Sequence, residues 1–205
     1  MSSPTQSVES DLAFLRALAE AGHEAPLMAG PSLIAGGAWF AAASLVHWLI
    51  AARILEASPA GYFYAWIGAA VGFAATLVVL HRRDRHRSET TNNRAVNAAW
   101  SAVGCGIGIF WMGLAIISWR SGNNFVWVTM PLLVLTVYGV AWWVASALTQ
   151  QRWMKLTTAI TFASVLLAAL LHDTHHLYLF YAASLVVTAL IPGLVLLRQD
   201  RSPGA

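Results

Sequence analysis

The sequence predicts an all-α polytopic membrane protein: a bundle of six transmembrane helices preceded by a short amphipathic cytoplasmic helix. Three observations carry this. Of the 205 residues, 58% are hydrophobic and 10% are charged, against roughly 25% charged in an average soluble domain. The apolar residues gather in six runs, most of them long enough for the ~20 residues a helix needs to cross hydrocarbon. The basic residues lie almost wholly on one side of those runs. Disorder is excluded, because it requires low hydrophobicity and high charge.

Residues 7–22, SVESDLAFLRALAEAG, form the amphipathic helix. Ser7 or Ser10 caps it, Asp11 sits in its first turn and Gly22 ends it. Phe14, Leu15, Leu18 and Ala21 share one face, with Glu9, Arg16 and Glu20 on the other. A linker with Pro26 and Pro31 leads to the first span, so residues 1–30 are a cytoplasmic helix and linker. The spans occupy 31–55, 62–80, 96–118, 125–148, 156–171 and 177–197. They make up a transmembrane domain over 31–198, and 199–205 is a cytoplasmic tail. The fifth span is short unless Trp153 and Met154 extend it.

With the N-terminus in the cytoplasm, the inner segments hold Arg16, Arg82, Arg83, Arg85, Arg87, Arg94, Arg152, Lys155, Arg198 and Arg201. Only Arg53 and Arg120 lie outside. Both termini are therefore cytoplasmic by the positive-inside rule. Tyr62, Tyr64, Trp66, Trp119, Trp127, Trp153 and Tyr178 mark the interfaces. The pattern fits a bacterial-type inner membrane, and no cleavable leader opens the chain.

Small residues set the expected packing. Gly68 and Gly72 form GxxxG in the second span, and Gly104 and Gly108 in the third. This spacing lets backbones approach, either between spans two and three or between two copies of the chain. VHWLIAA at 46–52 faintly echoes VAWWVAS at 140–146, as inverted three-span halves would.

Few residues suit chemistry. In LLHDTHHLY, His172, Asp173, His175 and His176 crowd one outer turn. Imidazoles and a carboxylate are ligands for a divalent metal, although a tight polar hairpin between spans five and six is the simpler account of them. His47 is the ionisable residue within a span, placed roughly 12 Å deep at 1.5 Å per residue. That depth mismatches the histidine turn and argues against bis-histidine haem. Arg53 and Glu56 are three apart and would pair on one helix face. Arg82, Arg83, Arg85 and Arg87 would meet anionic lipid or a protein partner, including the acidic N-terminal stretch.

Nucleotide-loop, HExxH and GxSxG motifs are missing, as are a mid-span lysine and a buried carboxylate pair. Nucleic-acid binding is not indicated. No cofactor is expected, with a metal at the histidine turn as the exception. The sequence thus indicates a small inner-membrane protein that associates with lipids, a protein partner or a second copy. Two other readings stay open. One is a channel or transporter for a neutral or apolar solute, lined by Thr129, Thr136, Tyr138, Thr157 and Thr161. The other is a metal- or haem-binding protein using the outer histidines.

Overall fold

The computed structural model describes residues 29–84 and 91–201. The amphipathic helix expected over 7–22, together with Arg85 and Arg87, lies outside the described residues. The described chain is helical throughout and contains no strand. In chain order the helices are α1 (Gly30–Ala51), α2 (Ala60–Asp84), α3 (Thr91–Ser121), α4 (Thr129–Thr149), α5 (Arg152–Leu170), α6 (His176–Leu185) and α7 (Ile191–Arg201). A 3-10 turn, Asn124–Val128, leads into α4, and a π turn, Val186–Leu190, joins α6 to α7 as one sixth span. Six helices are long and apolar enough to cross a membrane. We refer to the loops near 52–59, 122–128 and 171–175 as the histidine end, and to the opposite loops as the arginine end.

Local chemistry explains the boundaries. Pro31 opens α1, where a missing N–H costs nothing. The α1 helix stops at Ala51, four residues earlier than the hydropathy indicates. There Arg53 takes a left-handed conformation (φ 58°), and its N–H bonds the Ile50 carbonyl at 3.0 Å. The Ile54 N–H reaches back to the Leu49 carbonyl at 2.9 Å. These two bonds close a Schellman motif that satisfies carbonyls a continuing helix would have used. Glu56 therefore sits beyond the helix, and the expected Arg53–Glu56 pair has no common face to form on. At the start of the fourth span, the Asn123 side chain accepts from the Phe125 N–H at 2.8 Å. The α5 helix includes Trp153 and Met154 and reaches 19 residues, about 28 Å at the usual rise.

The packing is uneven. The α1 helix lies against α2 and the whole sixth span, while α4 lies against α5 and α3. One buried cluster joins Ala41, Leu135, Ala168, Leu177, Tyr181 and Leu185 toward the histidine end. A second joins Leu33, Val96, Trp142, Ala145, Met154 and Leu196 toward the arginine end. Four spans thus form the centre, with α2 and α3 as flanks. In the apolar windows of α2 and α3, 6% and 11% of residues are buried, against 50% in the sixth span.

The tightest approach of backbone to backbone at the described glycines is between α1 and the sixth span, built on glycines outside any GxxxG pair. A Cβ on Gly30 would come 2.9 Å from the Gly193 carbonyl oxygen, and one on Gly193 would come 2.9 Å from that of Gly30. Of the two roles expected of the GxxxG glycines, packing between spans two and three is not what the contacts show. Gly72 does pack, but against Trp39 of α1. Gly68, Gly104 and Gly108 face open space, and α2 makes no substantial contact with α3. The physical reason is that each flank packs on its own central helix, which separates them.

The sixth span carries a break. In an α-helix the Thr188 carbonyl would accept from the N–H of residue 192, but that residue is Pro192 and has none. The chain widens into the π turn, where the Ile191 N–H bonds the Val186 carbonyl. Trp142 of α4 then donates its indole N–H to the Thr188 carbonyl at 2.8 Å, fully buried. A neighbouring helix thus satisfies the group that proline frees, as an apolar setting demands.

Candidate functional site

His47 lies closer to the surface than the sequence indicates. Because α1 ends at Ala51, it stands four residues from the helix terminus, about 6 Å along the axis. It therefore shares a level with the start of α6, which follows the histidine turn. Tyr178 stacks on its imidazole, ring centroids 3.6 Å apart and planes 20° apart. Tyr62, near the start of α2, lies 4.5 Å away, tilted by 52°. Trp66, one turn further along α2, donates its indole N–H to His47 Nδ1 at 3.0 Å.

That last bond fixes the ring's proton. A tryptophan N–H can only donate, so Nδ1 is bare and the imidazole proton sits on Nε2. Ser44, one turn before His47, ties α1 to α6 by donating to the Tyr178 carbonyl at 2.8 Å. Three helices therefore hold one aromatic cluster around a single imidazole. Among the described residues, no hydrogen bond reaches His47 Nε2 or the hydroxyls of Tyr62 and Tyr178. The Trp48 indole N–H, next along α1, is buried without a partner as well.

The histidine turn divides into two pairs. His172 Nε2 contacts the neighbouring Asp173 Oδ1 at 3.0 Å, both side chains being largely exposed. Phe125 meets the His172 ring edge-on at 5.7 Å. His175 and His176 lie with ring centroids 4.0 Å apart. Among the described residues, no three or more His, Cys, Asp or Glu side chains are placed to hold a metal ion. The turn is shaped by its own backbone instead, with the Thr174 N–H and hydroxyl both donating to the Leu171 carbonyl at 2.9 Å. Beside it, Phe125, Val128, Thr129, Leu132, Ala169 and His172 line a half-open apolar cavity of about 220 Å³.

The threonines named as solute lining donate their hydroxyls to carbonyls three or four residues back in the chain. Thr157 and Thr161 are buried, but each donates to a carbonyl of its own helix, Trp153 and Thr157 respectively. Thr136 is exposed and bonds the Leu132 carbonyl. Arg82 and Arg83 are exposed in the last turn of α2, where a positive charge suits the helix dipole.

Sequence reasoning singled out His47 but missed its partners. Tyr62, Trp66 and Tyr178 read as separate interface markers, and their convergence depends on which spans are neighbours. Fold and composition together give a helical bundle in which six helices of the described residues are long and apolar enough to cross a membrane. No protein family matches the chain, and comparisons with curated proteins and with solved structures find no match.

Proposed function

We propose that this chain is a bacterial-type inner-membrane protein, with both termini in the cytoplasm, that acts by lateral association of its helices rather than by catalysis. The partner that α3 fits is a second copy of the chain. One observation carries this reading: the small-residue face of α3 is left uncovered. A Cβ on Gly104 or Gly108, which share that face, would meet nothing within 4 Å. Ser101, Cys105 and Met112 are exposed along the same side. In lipid there is no hydrophobic drive between helices, so close backbone approach over small residues is what makes association favourable.

The chain supplies its own probe, since Cys105 is its single cysteine and is exposed. Oxidation in native membranes is expected to give a disulfide-linked dimer through Cys105. Gly104→Leu with Gly108→Leu is expected to abolish that dimer without lowering the amount of protein. A chain that stays monomeric under oxidation, or a dimer indifferent to both substitutions, overturns the reading.

A further inference from the structure

We propose that the cluster around His47 is a lateral binding site, open to the bilayer, for the headgroup of an isoprenoid quinone. The site lies on the opposite flank from α3, so it stands or falls independently of association. The reasoning begins with an imbalance. His47 Nε2–H and the Tyr62 and Tyr178 hydroxyls can each donate a hydrogen bond, and none does so among the described residues. The phenol rings centre 4.5 and 3.6 Å from the imidazole, which keeps all three donors in one locality. The three donor atoms are not sealed inside the bundle, so a cluster rich in donors suits a ligand rich in acceptors that arrives from outside.

The surroundings narrow the ligand's chemistry. The Trp66 bond keeps the imidazole neutral, and no acidic side chain joins the ring contacts, so the cluster holds no charged group to pair with an ion. A neutral, flat molecule with carbonyl oxygens fits best. Its carbonyls accept from the imidazole and phenol groups, and its ring packs on aromatic faces. A quinone has this form. Its isoprenoid tail needs an apolar surrounding, which the hydrocarbon beside a site open to the bilayer supplies. The depth also suits, because the cluster lies near the helix ends, where a headgroup meets the interface while its tail stays in hydrocarbon. Binding alone is proposed, with no electron transfer.

The test uses the full chain in nanodiscs of phosphatidylcholine, titrated with decyl-ubiquinone and followed by quenching of tryptophan fluorescence. Saturable quenching is expected. Tyr62→Phe and Tyr178→Phe keep the rings and remove only the hydroxyls. Each is expected to weaken binding by about two- to tenfold, the worth of one neutral hydrogen bond. The dimethyl ether of the corresponding quinol keeps the ring and tail but lacks carbonyls, and it should not compete. Quenching that rises linearly without saturating overturns the proposal, as do two phenylalanine variants that bind like the parent. So does a phospholipid that stays bound through purification and is not displaced by the quinone, which would assign the donors to an ester carbonyl.

Discussion

Gly37 and Gly108 are the same residue in opposite surroundings, and the difference decides what each does. A Cβ at Gly37 would lie 2.8 Å from the backbone nitrogen of Leu190 and 3.1 Å from its Cα. Backbone cannot rotate aside, so Gly37→Ala must push α1 away from the sixth span. Overpacking of this kind costs about 1–3 kcal/mol. Gly108 has nothing within 4 Å, and alanine is the better helix former by up to about 1 kcal/mol. We therefore expect Gly37→Ala to lower stability and Gly108→Ala to leave that of the monomer unchanged or raise it. Unfolding from detergent micelles by added dodecyl sulfate measures both. Equal losses at the two positions would contradict the packing described. The sequence does not reveal this contrast. The GxxxG spacing at 104–108 draws attention to the open face, while Gly30, Gly37 and Gly193 follow no such spacing and meet only because α1 and the sixth span are neighbours. The same holds at the candidate site, where His47 stood out as an ionisable residue but its three aromatic partners come from two other helices.

At the scale of the element, the sixth span shows how one residue reshapes a helix and recruits another. Hydropathy ends that span near 197, which makes Pro192 look like a residue at a harmless margin. The helix in fact continues to Arg201, so the proline falls in its interior and costs a carbonyl its donor. The π turn and the Trp142 bond are the response. The donor lies 46 residues from its acceptor, which is why nothing local announces it. This account predicts coupling between the two residues. Trp142→Phe leaves the Thr188 carbonyl buried and unpaired, a loss of about 1–3 kcal/mol. In a Pro192→Ala background the helix supplies its own N–H to that carbonyl. The same tryptophan substitution should then cost markedly less. A double-mutant cycle read by chemical unfolding measures the difference. A coupling energy indistinguishable from zero would mean that Trp142 serves only to fill volume.

Across the whole molecule, the six spans were legible because hydrophobicity and length are local properties of the chain. Their lateral order was not, because helices that are apolar nearly all round carry no stripe to mark a buried side. The order that emerges is regular: α1 holds α2 and the sixth span, and α4 holds α5 and α3. Each three-span half thus contributes its first helix to the centre and sets its third against the first helix of the other half. Such an arrangement constrains orientation, since an even number of spans puts both chain ends on one side. The charge pattern then selects which side. Arg82, Arg83, Arg94, Arg152, Lys155 and Arg198 lie toward the arginine end, whereas Arg53 and Arg120 lie toward the other. Basic residues are retained on the cytoplasmic side, so the histidine turn should face outward. Replacing the single cysteine by Cys105→Ser leaves a background for testing this. In spheroplasts, Thr174→Cys should react with a membrane-impermeant maleimide, because Thr174 is exposed in that turn. Ser202→Cys, near the C-terminus, should react only after lysis. The reverse pattern would invert the topology. Labelling of both positions in sealed spheroplasts would mean that the sixth span does not cross, which would remove the central role the packing gives it.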